Sequence, residues 1–453
     1  MHSTRGRANL LRELISGKQV DRYTGKQVGA GSIVNRKSEI ENSVFSALDL
    51  CLACKGCKAE CPSGVDMAKL KYEFENEYYK THRRPLRDYV FGYFHVAAKL
   101  MSNIAPVANG LMSFAPTKKL IARVFGLAEE RALPKVAMSL RAKRSNPLAI
   151  QNLDKEQEIA SSWRDSRHSS QRHVVIYLPD VFSRYIEPQV EEAALEVLTM
   201  CGYDVQVLPI VGAGASLLSK GFVDAARRHA RKMLKWLNQA DPSREAFIVG
   251  VEPPEIYLLK NDYADLLPES AEEIRARESR VWLLDEFLLR SSSFDAVRVA
   301  RREEQNASLE TKQENDDSGL LRFVRNDRLY FHPHCHQRAE GLSADGIASG
   351  ANASVELLRA CGFDVELSDA GCCGMAGTFG FEAEHYEVSM RIAELKLLPA
   401  LRALNREGAK NAKNLSDKVV STGAACRMQV RHGSGLEARH PIEWVRDWIV
   451  SGE

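Results

Sequence analysis

The second half of the chain alternates short apolar runs with stripes of apolar residues at helical spacing. Val174–Leu178 (VVIYL) has the length and β-branched content of a buried strand, and Val190, Ala193, Ala194, Val197, Leu198 and Cys201 then recur on one helical face. Further strands are predicted at Asp204–Leu208 and Phe247–Val251, separated by a loop around Gly212 and a helix over Asp224–Asn238. Strands alternating with helices imply βαβ units, because parallel strands need a crossover connection. The pattern then repeats. ALEVLTMCGYDVQVLP at Ala194–Pro209 matches SVELLRACGFDVELSD at Ser354–Asp369 with an offset of 160 residues, which aligns Cys201 with Cys361. The second copy is predicted to place strands at Arg328–His332, Asp364–Leu367 and Lys418–Thr422, closed by an amphipathic helix over His440–Val450.

The first half has a different texture. Its most apolar stretch, Tyr89–Phe114, is interrupted by His95, Lys99, Asn103, Pro106 and Asn109. A spanning helix needs about 20 apolar residues, so the stretch is too polar to cross a bilayer. It is expected to form a buried helical hairpin kinked at Pro106. Two polar segments, at 139–171 and 291–327, have the composition of linkers or insertions.

Composition narrows the function classes. A chain of 453 residues exceeds the roughly 250–300 at which one hydrophobic core stops growing, so several domains are expected. Hydrophobic residues make up 44% and charged residues 27%, as in ordinary globular proteins. With 62 Lys and Arg against 60 Asp and Glu, the net charge of +2 gives no global reason to bind nucleic acid, and none is expected as partner. Met1–Arg12 is basic without a secretory apolar run, so a cytoplasmic location is expected, at most peripheral at the inner face of the membrane.

Eight of the ten cysteines cluster. In a reducing compartment this favours metal over disulfides. Cys51, Cys54, Cys57 and Cys61 follow C-x2-C-x2-C-x3-C with Pro62 next, the ferredoxin run for a 4Fe-4S cluster. Such short intervals let one loop turn successive thiolates toward one cubane, and Gly56 is expected to relieve backbone crowding. Zinc is the alternative, although zinc sites usually draw paired cysteines from two separated knuckles. In two-cluster ferredoxins the cysteine before proline serves the other cluster, so the role of Cys61 stays open.

The remaining four come from the second repeat. Cys335, the Cys372-Cys373 pair and Cys426 each follow a predicted strand, and loops beyond the carboxyl ends of parallel strands share one edge. They are expected to meet as ligands of a second iron–sulfur cluster or of zinc. Of the neighbouring histidines, His334 and His336 are closer candidates than His332. Cys201 and Cys361 precede their strands and are expected to be buried packing residues. In the first repeat, Gly212-Ala213-Gly214 and Pro253-Pro254-Glu255 stand where cysteines are needed, so that copy is expected not to ligate.

Together, CLACKGCKAECPSGVDMAKLKYEF, HPHCHQRAEG, DAGCCGMAGTFGFEAEHYEVSMRIAE and STGAACRMQ resemble the iron–sulfur, carboxyl-terminal portion of FAD-linked oxidases related to D-lactate dehydrogenase. That portion is similar to the glycolate oxidase iron–sulfur subunit and contains tandem cysteine-rich domains of the heterodisulfide-reductase type. The resemblance implies an electron-transfer subunit or fragment of a flavin-dependent 2-hydroxyacid dehydrogenase. Its FAD would lie on a partner chain or another domain, and its electrons would pass toward quinone. Cys51, Cys54, Cys57 and Cys61 match the ferredoxin motif, and Cys335, Cys372, Cys373 and Cys426 the cysteine-rich motif. Gly423 departs from relatives that carry a further cysteine there, and no dinucleotide pattern supplies a flavin site in this chain. The alternatives are a zinc-stabilised or cluster-free scaffold and a heterodisulfide-type thiol reductase. The expected fold is multidomain α+β, with a helical ferredoxin-type domain at 1–84, a helical connector at 85–138, and cysteine-rich repeats at 172–290 and 328–453.

Overall fold

The computed structural model describes residues 6–9, 11, 33–138, 173–313, 328–410 and 418–451. The polar segment expected at 139–171 lies outside them.

The first part is helical: α1 (Ile33–Asp49), α2 (Gly56–Glu60), α3 (Met67–Thr81), α4 (Leu86–Gly92), α5 (Phe94–Ser102), α6 (Ala105–Ser113) and α7 (Ala115–Phe125). Asp66 starts α3 by accepting from the Ala68 N–H at 2.9 Å and the Lys69 N–H at 3.3 Å. The expected hairpin kinked at Pro106 is replaced by the four short helices α4–α7. Pro106 and Pro116 sit in the first turns of α6 and α7, where proline's missing N–H costs nothing, so each begins a helix. Nor is this stretch buried throughout: Leu100, Ile104, Val107, Leu111 and Phe114 are exposed.

Two four-stranded parallel sheets follow. The first has β1 (Val174–Tyr177), β2 (Asp204–Val207), β3 (Phe247–Gly250) and β4 (Val281–Leu283) in the order β2-β1-β3-β4. The second has β5 (Arg328–Phe331), β6 (Asp364–Leu367), β7 (Val419–Val420) and β8 (Ala438–Arg439) in the order β6-β5-β7-β8. Tyr177 pairs with Val207 and Val249, and Phe331 with Leu367 and Val420, so the sheets share one register. The three strands expected in each repeat are present. β4 and β8, of three and two residues, are too short to leave a period in the sequence.

The sheets are joined by a reciprocal exchange. The first long helix of repeat 1, Pro188–Met200, packs on the last helix of repeat 2, Pro441–Ser451, and Gly350–Ala360 of repeat 2 packs on Leu284–Leu289 of repeat 1. One core runs between them, with Tyr177, Leu198, Phe287, Phe331, Leu358 and Trp448 buried in it. Cys201 and Cys361 are buried in this same core. The polar segment expected from 291 begins instead with a helix, Ser292–Gln313, whose first turns bury Phe294 and Val297. Its arginines reach neighbouring carbonyls, Arg302 donating to Ala360 O at 3.1 Å. A polar outer face hid two core residues from a composition-based reading.

Candidate functional site

The carboxyl-terminal edge of the second sheet gathers four thiols. After β5 the chain passes through His332 and His334 to Cys335, after β6 to Cys372 and Cys373, and after β7 to Cys426 in the first turn of the helix Ala424–Ser434. Cys335, Cys372, Cys373 and Cys426 are neighbours in that order, the titration of each of the first three thiols being perturbed by the next. Gly374 lets the Cys-Cys turn lie this close: its φ is +86°, and a Cβ there would fall 2.1 Å from Ser389 O.

His332, which sequence reasoning set aside, faces the same place. One of its ring nitrogens and the sulfurs of Cys373 and Cys426 all lie within 4.8 Å of one another. Its Nε2 is buried without a hydrogen-bond partner, and Nδ1 lies 3.4 Å from Ser368 Oγ. His334 instead caps the helix that bears Cys335, accepting from the His336 N–H at 3.1 Å. His336 Nε2–H donates to Ala53 O at 2.9 Å, tying this edge to the first cysteine run. Burial holds all three imidazoles below the ordinary range, His332 at about 3 and His336 at about 4, so each offers a neutral lone pair. His332 could not be recognised from sequence, because the direction of a side chain at a strand end is set only by the fold.

The absence of a fifth cysteine has a steric reason. A Cβ on Gly423 would lie 2.5 Å from His334 Cδ2. The imidazole occupies the space that a cysteine at 423 would need.

Cys373 and Cys426 are buried, and Cys335 and Cys372 are half-buried. The neighbouring Cys372, followed by burial, pushes the Cys335 thiol well up. Cys373 is lowered by Cys372 but raised more by Cys426 and burial. Backbone N–H groups point at the sulfurs, with Gly374 N 3.3 Å from Cys372 Sγ and Met67 N 3.4 Å from Cys57 Sγ. Soft sulfur donors, an orphaned buried imidazole nitrogen and oriented amides suit a thiophilic metal or an iron–sulfur cluster.

The first run, Cys51 to Cys61, bends through Ala53 (φ 50°) and Lys55 (φ 59°), left-handed conformations that cost non-glycine residues about 1–3 kcal/mol. A Cβ on Gly56 would meet only Cys54 Sγ, at an ordinary 3.6 Å. Lys71 Nζ donates to Cys51 O at 3.0 Å, and Lys55 pairs with the buried Asp262. Burial, with help from nearby Cys335, Cys51 and Cys57, raises the Cys54 thiol to about 11. Three thiols of this run therefore share one region, and Cys54 abuts the second site through Cys335. Cys61 is separate. Its thiol is half-buried and is lowered by the amides of Val65, Ser63 and Gly64, with no other cysteine contributing.

Repeat 1 shows how the same edge closes without cysteines. By strand register Glu255 corresponds to Cys426, and Ala213 to Cys373. The Glu255 carboxylate fills the vacated space and accepts from the N–H groups of Ala213, Gly214 and Ala215 at 2.6, 3.0 and 3.2 Å. Burial raises it to about 7 against those amides. Neighbouring Glu252 reaches across to accept from Ala424 N at 3.2 Å, steadying the helix that carries Cys426. Between the repeats and α4–α7 lies a largely apolar cavity of about 370 Å³, touched by Ala53, Cys335, His334 and Glu255.

This fold and site define a protein with tandem α/β units, one of which presents a four-cysteine edge beside a second cysteine loop. The Cysteine-rich domain family (CCG) matches residues 329–431. Over 98% of its length the chain is 25% identical to D-2-hydroxyglutarate dehydrogenase of Escherichia coli (strain K12), and over 97% it is 21% identical to the Haemophilus influenzae protein of that name. It spans only 40% of each. It is also 23% identical to one subunit of the anaerobic glycerol-3-phosphate dehydrogenase of E. coli (strain K12), over 80% of this chain and 77% of that one. The resemblance drawn from the motifs is thus borne out: the chain carries a CCG-type cysteine-rich domain and is similar to proteins named as dehydrogenases or a dehydrogenase subunit. No helix among the described residues is long and apolar enough to cross a membrane.

Proposed function

We propose that this chain is the iron–sulfur electron-transfer part of a flavin-dependent 2-hydroxyacid dehydrogenase, taking electrons from a flavoprotein subunit or domain and delivering them to quinone or another acceptor. The observation that carries this reading is the convergence of four neighbouring thiols on one sheet edge, next to Cys54. Cys51, Cys54 and Cys57, with Cys61 or a group from a partner as fourth, would hold one 4Fe-4S cluster. Cys335, Cys372, Cys373 and Cys426 would hold a second. A bound cluster supplies one-electron acceptance at a potential set by burial and by hydrogen bonds to sulfur.

The protein's own residues do the rest. Amides of Gly374 and Met67 stabilise charge on sulfur, and the His336–Ala53 bond fixes the two sites relative to each other. The apolar cavity beside Cys335 has room for the ring of a lipophilic acceptor. The dehydrogenase names of the relatives support the reaction class, and the substrate would be chosen by the flavin part.

Oxygen-free purification and reconstitution of the full chain, followed by iron, sulfide and zinc determination, tests this reading. Iron and sulfide in comparable amounts are expected. A second reading, one zinc ion on His332, Cys373 and Cys426, is favoured by the 4.8 Å grouping of those three. About one zinc per chain beside iron and sulfide for a single cluster, persisting after reconstitution, would establish it in place of the second cluster.

A further inference from the structure

The helices α4–α7 are apolar on two sides. Phe94, Met101, Met112 and Ile121 look inward to the cavity. On the outer side Leu100, Ile104, Val107, Leu111, Phe114 and Leu120 each expose 54–64% of their surface. The outward residues follow an i, i+4 rule in each helix, Val96 with Leu100, Val107 with Leu111 and Leu120 with Val124, and Ile104 and Phe114 occupy the turns between helices. Soluble monomers rarely leave so many large apolar side chains together in water.

Charge selects the occupant. Across α4–α7, from Leu86 to Phe125, the sequence has five basic residues, Arg87, Lys99, Lys118, Lys119 and Arg123, against one acidic residue, Asp88, which is buried. Lys99, Lys119 and Arg123 are exposed. A protein partner would need no such one-sided balance, whereas an anionic lipid surface attracts basic residues while their stems lie along the acyl boundary. Each helix here has 7 to 11 residues, too few to span a bilayer but suited to lying in its interface.

We infer that the outer face of α4–α7 is a docking surface for an anionic lipid bilayer, presenting the wall of the cavity beside Cys335 to the lipid. Delivery of electrons to a lipid-soluble acceptor through that wall rests on the electron-transfer reading above, but lipid contact itself rests only on this face.

Flotation of the full chain with vesicles tests the inference, using phosphatidylcholine alone or with about a third phosphatidylglycerol. The parent protein is expected to float with the anionic vesicles and to be released progressively by salt. Leu100→Glu/Leu111→Glu should reduce the bound fraction at least about tenfold, and Lys99→Gln/Lys119→Gln/Arg123→Gln should remove the preference for anionic lipid. All these positions are exposed, so circular dichroism should show the fold retained. Cys373→Ser, designed to disrupt the second metal site, should float as the parent does, which separates failure of the electron-transfer reading from failure of this one. The inference is overturned if the parent ignores both vesicles or the double glutamate variant floats undiminished. It is equally overturned if light scattering shows a parent dimer that this variant converts to monomer, since the face would then join two copies.

Discussion

His334 and Gly423 are a matched pair, because the imidazole fills the space that any side chain at 423 would enter. Gly423→Cys should therefore overpack the site and cost about 1–3 kcal/mol. The added thiol would displace the ring that caps the Cys335 helix. Thermal unfolding should show a lowered midpoint, recovered in Gly423→Cys/His334→Ala; a single variant as stable as the parent would contradict the packing. Glu255 makes the opposite case, a carboxylate plugging a cysteine site. Glu255→Ala would orphan three buried amides and should lower stability by about 1–3 kcal/mol or more, while iron content stays unchanged. Loss of iron there would mean that repeat 1 takes part in ligation. At this scale the sequence was informative about residue types and silent about direction. The thiols were recognisable because cysteine has few other uses in such loops, whereas His332, at the end of a strand, and Glu255, a common residue, acquire their roles only through position.

Among the elements, the helical part is fastened to the second repeat by a charged bridge. His385 donates from Nε2 to Asp49 Oδ2 at 2.8 Å and from Nδ1 to Glu382 Oε2 at 3.0 Å, so it carries a proton in both bonds. Burial opposes that charge, but the two carboxylates outweigh it and raise His385 to about 9. A raised histidine stabilises fully below its unfolded value near 6.5 and loses that contribution as pH climbs through about 9. Glu382 behaves oppositely. Burial works against it, yet Lys220 and His385 bring it down to about 2, so its contribution is present above about 4.5 and fades as pH falls through 2. Limited proteolysis between α3 and α4 should thus be slowest from about pH 4.5 to 6.5 and faster toward pH 9, and Asp49→Asn should flatten the alkaline limb. An alkaline limb unchanged by that variant would remove His385 from the docking. The strands were legible because their apolar runs repeat with one offset. The reciprocal helix packing and the four short connector helices were not, since proline marks helix starts and helix kinks with the same letter.

For the whole molecule, the central point is adjacency. Topology sends Cys335, Cys372, Cys373 and Cys426 to one sheet edge, and the His336–Ala53 bond brings the loop of Cys51, Cys54 and Cys57 against it. Sequence order could foretell the first convergence, because parallel strands put their following loops together. It could not foretell the second, which depends on two regions almost 300 residues apart being tied by the His336–Ala53 bond. The most direct measurement is electron paramagnetic resonance of oxygen-free, reconstituted and reduced full chain beside its Cys54→Ser and Cys373→Ser variants. Two paramagnetic centres that interact magnetically are expected, with each variant losing one and simplifying the spectrum of the other. A parent protein with no reducible centre, or variants that both retain its full spectrum, would contradict the paired-cluster reading.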